Sequence, residues 1–419
     1  MFTTTASAQR RITRLATLTA VHRAFHWLHL HQPQLRQWQM EFVRIPAPPF
    51  CESARAAWFL DRFQQLGLTN THMDAAGNVL GEISGSVASD TPCVLISAHL
   101  DTVFPPETVC DPVEDATTPR IFAPGICDNG AGLTALLAIA AALNHANIAP
   151  PIPLLFVANV GEEGEGDLRG MRHLFLNSPY RDRIAASIAL EGGGTNAVVT
   201  RALGSLRFRV AVSAPGGHAW TDAGSPNPIF ILSQAIAKLA ALELPAQPRT
   251  VLNAGMISGG TSINSIPESA TVLLDLRSTD PVQLRATEAE IRCVLAETLT
   301  LAAGKDAASG TVKLHIELIG NRPAAALPED STLLQTVRAV DRHLTLRTEV
   351  RLGSTDANIP LSLGIPAIAI GAGGMGGGIH TLQEWYDPTG RETALRRILL
   401  TLLDTAALTA ESAASVEQE

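Results

Sequence analysis

Five side chains able to bind a divalent metal fall directly after apolar or glycine-flanked segments: His99, Asp128, Glu163, Glu191 and His380. Two imidazoles and three carboxylates suit Zn²⁺ or another borderline ion such as Co²⁺ or Mn²⁺. A mixed set of five, with one carboxylate able to bridge, predicts two ions rather than one. Ions about 3.5–4 Å apart clamp a water and polarise a carbonyl. Asp128, in the tight turn Cys127-Asp128-Asn129-Gly130, is the natural bridge. Glu162 immediately precedes Glu163. Adjacent loop residues point different ways, so one can hold metal while the other, Glu162, takes a proton from water as general base. His99 and Asp101 are i and i+2 and share one side of an extended strand. Asp101 therefore reads as the residue that orients His99. Taken singly, each acid is more often a surface charge or a helix cap; their shared register gives the set its weight.

That register comes from the elements that carry them. Val94–His99, Pro151–Val160 and Ile184–Leu190 read as buried strands, and the candidate ligands follow their ends. Helices are expected over Gln9–Leu30, Gln34–Val43, Glu52–Leu66, Leu133–Leu143 and Leu168–Leu176. Alternating strands and helices predict an α/β fold, a mostly parallel mixed sheet flanked by helices. Ligand sites in such sheets lie at the carboxyl ends of strands. Near Gly204 the pattern changes. Leu206–Val212 alternates with period two, and strand, helix, strand, strand, helix, strand follow to Leu318. This is the ferredoxin-like order, so residues 204–318 are expected to form an inserted α+β domain and residues 1–203 with 319–419 the metal-binding domain. A closing helix is expected over Arg391–Leu408, then a frayed acidic tail from Ala410.

The chain has 419 residues and a net charge of −9, which argues against binding nucleic acid through its phosphates. Five scattered cysteines without a Cys-x-x-Cys pair suggest reduced thiols. No signal peptide and no apolar run long enough to span a membrane is visible, so a cytoplasmic chain is expected. His22 and His26 have metal-pair spacing. Without an acidic residue close in sequence they read as a solvated or packed helix face rather than a metal site.

Four motifs occur in order: Ser97-Ala98-His99-Leu100-Asp101-Thr102-Val103, Asp128-Asn129-Gly130-Ala131-Gly132, Glu162-Glu163-Gly164, and Ile379-His380-Thr381 with Glu384. They resemble those of the di-zinc aminoacylase and carboxypeptidase family of metallopeptidases. Its members include glutamate carboxypeptidase, succinyl-diaminopimelate desuccinylase, acetylornithine deacetylase, tripeptidase and carnosinase. The resemblance covers about residues 40–410. It implies one metal held by His99, Asp128 and Glu191, and a second by Asp128, Glu163 and His380. It also implies Glu162 as general base, Asp101 as orienter, and a cis peptide after Asp128. Gly216-Gly217-His218-Ala219 resembles the family's lid motif, whose histidine reaches a partner subunit's site and stabilises the oxyanion. Asn264 and Arg277 match residues that hold the substrate carboxylate or oxyanion. Glu191, rather than aspartate, is similar to carboxypeptidases and deacylases. The resemblance thus implies a homodimeric amidohydrolase acting on a small peptide or N-acyl amino acid with a free carboxylate beside the scissile amide. An aminopeptidase or dipeptidase type is the alternative, and a non-catalytic binding protein on the same fold the remaining one.

Overall fold

The structure is a computed structural model and describes residues 2–86, 91–308 and 310–416. Two compact units divide the chain: Met1–Ala202 with Ala326–Glu419, and Leu203–Ala325.

In the first unit one sheet runs in the order Thr69–Met73, Val79–Ile83, Leu154–Asn159, Cys93–His99, Ile184–Leu190, Ala367–Ile370, Ala197–Ala202. The four strands from Leu154–Asn159 to Ala367–Ile370 are mutually parallel, and antiparallel strands flank them on both sides. All seven residues of Cys93–His99 are buried, as a central strand covered on both faces requires. Helix Gly130–His145 is buried all round from Gly130 to Leu143. It packs on Cys93–His99 and against helices Thr19–Leu30, Gln32–Val43 and Arg391–Val416. Each leucine it removes from water contributes about 1.5–3 kcal/mol.

Two helical expectations change. The single helix over Gln9–Leu30 is two, Phe2–Ala16 and Thr19–Leu30. The Thr17 hydroxyl donates to the Arg14 carbonyl at 2.8 Å, and Leu18 is extended, with ψ 131°. A local side-chain bond of this kind competes with the helix ladder. The closing helix continues to Val416, through the stretch expected to fray. Residues 417–419 lie outside the described ones. Residues Arg391–Ser415 are long and apolar enough to cross a membrane, but half of that window is buried in the protein. Leu395, Ile398, Leu399 and Leu402 have no exposed surface, so this is a core helix.

The second unit is a four-stranded antiparallel sheet in the order Thr250–Gly259, Ser269–Ser278, Gly204–Ser213, Lys313–Arg322. Helices Pro228–Ala240 and Pro281–Ala303 cover one face. Leu206, Phe208, Val210, Val272, Leu274 and Leu276 meet Leu232 and Ile291 in its core. Connection and strand order are the ferredoxin-like arrangement. The last strand extends four residues beyond the expected Leu318, to Arg322. Thr250–Gly259 lies on the sheet edge, with Met256 67% and Ile257 62% exposed.

Candidate functional site

Parallel strands bring their carboxyl ends to one side, and the ligand candidates of the first unit gather there. His99 ends its strand opposite Asn159 and is fully buried. Its Nε2 lies 3.2 Å from Asp128 Oδ1 and 3.4 Å from Glu191 Oε1. His380 Nε2 lies 3.1 Å from both Asp128 Oδ2 and Glu163 Oε1. Asp128 therefore turns one oxygen to His99 and the other to His380. Glu162 is buried beside Glu163.

Side-chain clasps hold these groups. The Asp128–Asn129 peptide is cis. His380 has φ +64°, a region few non-glycine residues occupy. The Asn129 side chain caps helix Gly130–His145 by accepting from Gly132 N–H at 3.1 Å. It also donates to the Leu190 carbonyl and accepts from Gly192 N–H, tying the Asp128 turn to the Glu191 loop. A Cβ on Gly132 would stand 2.1 Å from Asn129 Oδ1, so only glycine fits. The carboxylate of Asp101 accepts the N–H groups of Glu162 and Glu163 at 3.0 and 2.7 Å. His99 Nδ1 faces the Asp101 carbonyl oxygen at 3.0 Å and its carboxylate at 3.5 Å. Asp101 thus steadies two loops at once.

Three further residues hold the site that sequence reasoning did not assign. Glu384, part of the last motif, is fully buried and accepts from the N–H groups of Gly125, Cys127 and Asp128 at 2.8–2.9 Å. Gln39 donates to the Ile126 carbonyl at 2.7 Å. Arg55, also fully buried, donates to the Leu100 carbonyl at 2.7 Å and to that of Ile45. The Asp128 turn and the His99–Asp101 loop are therefore braced by helices Gln32–Val43 and Ser53–Gln65. Glu384 carried a sequence signal in its motif; Gln39 and Arg55 carried none.

The electrostatics fit cations. Burial and then the Asp128 charge raise the Glu163 carboxyl, and burial pushes Glu191 up to about 7 against the pull of His99. Burial also raises Asp128, but His380 and His99 outweigh it and hold that carboxyl well below the usual range. His380 is raised to about 9, chiefly by its hydrogen bond to Asp128, and His99 is raised by Glu191, Asp101 and Asp128 although burial opposes this. Donor atoms of His99, Asp128 and Glu163 lie within 4.8 Å of one another. His99 Nε2 and Asp128 Oδ1 are buried without a hydrogen-bond partner, facing each other out of alignment. A buried orphan pair of one imidazole nitrogen and one carboxylate oxygen is what a bound cation satisfies. His22 and His26 are exposed, as a solvated face requires.

The remaining candidates belong to the second unit. His218 is exposed, and its two-residue strand pairs with Ser265–Ile266. Ala219 N–H donates to the Asn264 carbonyl, so His218 and Asn264 share one end of this unit. Arg277 lies toward the far end of Ser269–Ser278, opposite Ser205, with its Nε 2.7 Å from Asp275.

Comparison with known proteins places the chain in a family. Residues 95–405 match the sequence profile of peptidase family M20/M25/M40. The Bacillus subtilis protein YqjE is 24% identical over 374 residues, covering 85% of this chain and 94% of its own. A probable carboxypeptidase of Ajellomyces capsulatus is 31% identical over 210 residues, 45% of this chain and 46% of its own, so that match spans about half of either protein. A Staphylococcus aureus tripeptidase superposes with a TM-score of 0.70 at 20% identity, covering 89% of this chain and 98% of that one. The Bacillus subtilis YXEP protein, described as a dinuclear metal binding peptidase, does so at 0.63 and 16%, covering 90% and 98%. The family match makes this chain a metal-dependent hydrolase of amide bonds. The chain belongs to peptidase family M20/M25/M40.

Proposed function

We propose that this chain cleaves small peptides or N-acyl amino acids that carry a free carboxylate beside the scissile amide. Two divalent ions serve it, Zn²⁺ first and Co²⁺ or Mn²⁺ as substitutes. His99, Asp128 and Glu191 would hold one, and Asp128, Glu163 and His380 the other. The observation that carries the reading is the division of Asp128 between His99 on one oxygen and His380 on the other.

When bound, such ions polarise a carbonyl oxygen and lower the pKa of water. Glu162 receives the proton of the attacking water and delivers it to the leaving nitrogen. Its backbone is pinned through Asp101, so the base starts from a fixed anchor. His218 donates to the developing oxyanion. Asn264 and Arg277 hold the substrate, Arg277 through the fork that guanidinium offers a carboxylate.

His218 and Arg277 support a homodimer. Ser213 lies eight residue steps along its strand from Ser205, roughly 25–30 Å at the usual rise. One small substrate meets both side chains only if they come from two copies. In this reading residues 203–325 are a lid and dimerisation domain, slightly longer than the expected 204–318 because the last strand runs on to Arg322, and the exposed edge strand Thr250–Gly259 offers unpaired backbone groups for association. Residues 1–202 and 326–419 form the catalytic domain. Five free thiols agree with a cytoplasmic enzyme.

The test is a panel of dipeptides and N-acyl amino acids, each with its carboxylate free or amidated, assayed with added Zn²⁺, Co²⁺ or Mn²⁺. Turnover should fall at least about a hundredfold on amidation, the scale of losing a charged contact. Equal turnover of both forms favours the aminopeptidase type instead.

A further inference from the structure

The turn that carries His218 also sets which of its nitrogens bears the proton. His218 Nδ1 lies 3.1 Å from the backbone N–H of Trp220 and 3.4 Å from that of Thr221. Both of those groups can only donate. An Nδ1–H would confront two donors, so Nδ1 is the acceptor and the ring hydrogen sits on Nε2. The turn is closed by Asp222. Its Oδ2 accepts the His218 N–H at 2.7 Å and the Thr221 hydroxyl at 3.3 Å, and its own N–H returns to the His218 carbonyl at 3.0 Å. Gly217 leaves room for this clasp: a Cβ there would stand 2.9 Å from both Cβ and Oδ2 of Asp222.

We propose that Asp222 is a positioning residue that locks the His218 ring with Nδ1 as acceptor and Nε2–H as donor. An oxyanion needs a donor already in place when charge develops. A ring whose Nδ1 lone pair is filled by its own backbone keeps its hydrogen on Nε2 and presents only a donor to the substrate. Asp222 touches no reacting atom; it acts through the Trp220 and Thr221 amides that it aligns. The catalytic consequence rests on the role given to His218 above. The tautomer itself does not.

The test uses the full-length metal-loaded enzyme with ring-¹⁵N histidine. The chain has 12 histidines, and the His218 signals are those missing from His218→Ala. The expected result is one protonated nitrogen at ε2 and one unprotonated nitrogen at δ1 for His218. In Asp222→Ala the two nitrogens should move toward averaged shifts. Asp222→Asn keeps an oxygen for the His218 N–H and should restore the wild-type pattern. In kinetics, Asp222→Ala should lower kcat roughly tenfold to a hundredfold with KM little changed, part of the full effect of removing an oxyanion donor. A protonated δ1 nitrogen in the wild type, or an unchanged pattern in folded Asp222→Ala, overturns the proposal. A locked ε2 tautomer without any kinetic effect of His218→Ala would instead remove the oxyanion role and leave the tautomer assignment standing.

Discussion

Asp101 shows how one carboxylate can be worth more than its place beside a ligand suggests. The sequence places it on the His99 side of the strand, and the i, i+2 spacing predicts an orienter. The structure gives its carboxylate chiefly to the N–H groups of Glu162 and Glu163. Burial raises its pKa, but His99 and those two amides outweigh that and hold it below the ordinary value. A carboxyl depressed in the folded state stabilises it above the unfolded pKa of about 3.9 and loses that contribution as pH falls below it. Asp101→Asn should therefore cost about 1–3 kcal/mol at pH 7 and flatten the loss of stability as pH falls below about 4. Urea unfolding of the metal-free protein at a series of pH values measures both; parallel curves for the two proteins would contradict it.

At the scale of elements, the strand ends were legible because a buried parallel strand writes itself as a run of apolar and small residues. Val94–Ala98 and Ile184–Leu190 stop directly before His99 and Glu191, and Leu154–Ala158 stops four positions before Glu162. The period-two stretch at Leu206–Val212 likewise announced a half-covered sheet. What held those ends was not legible. Arg55 reaches the Leu100 carbonyl across 45 positions and Gln39 reaches Ile126 across 87. A side chain bonding a distant carbonyl leaves no periodicity in either segment. The break at Thr17–Leu18 was missed for the opposite reason, because a local hydroxyl bond overrode a continuous amphipathic pattern. Glu384 is the clearest test at this scale, since three amides of the Asp128 turn converge on it. Burial raises its carboxyl to about 7 although all three favour the anion. Glu384→Gln replaces an acceptor with an amide donor facing that turn. Metal affinity should weaken about 10–100-fold, read by competition with a chromophoric chelator, while far-ultraviolet circular dichroism stays unchanged. Wild-type affinity in the variant would show that the turn holds its shape without Glu384.

For the whole molecule, the two units carry different parts of the proposed chemistry. The first gathers His99, Asp128, Glu163, Glu191 and His380. In the second, Arg277 pairs beside Ser205 at one end of the four-stranded sheet, and His218 follows Ser213, which ends the same strand at the other end. If association through Thr250–Gly259 supplies the second copy, light scattering should give about twice the chain mass of 44.3 kDa. Met256→Lys puts a charge on that exposed edge and should yield monomers with little of the activity that depends on His218. A fully active monomer would place every needed residue in one copy.

The central claim is that Asp128 joins two metal sites beside a separate base. Its most direct measurement is a Zn²⁺ titration of the metal-free protein, following bound metal and turnover together in wild type and Glu162→Gln. Both proteins should bind two equivalents per chain. Wild-type turnover should rise to its plateau with them, while the Glu162→Gln plateau should lie about 10²–10⁴-fold lower. Saturation at one equivalent, or a Glu162→Gln plateau equal to the wild type, would contradict it.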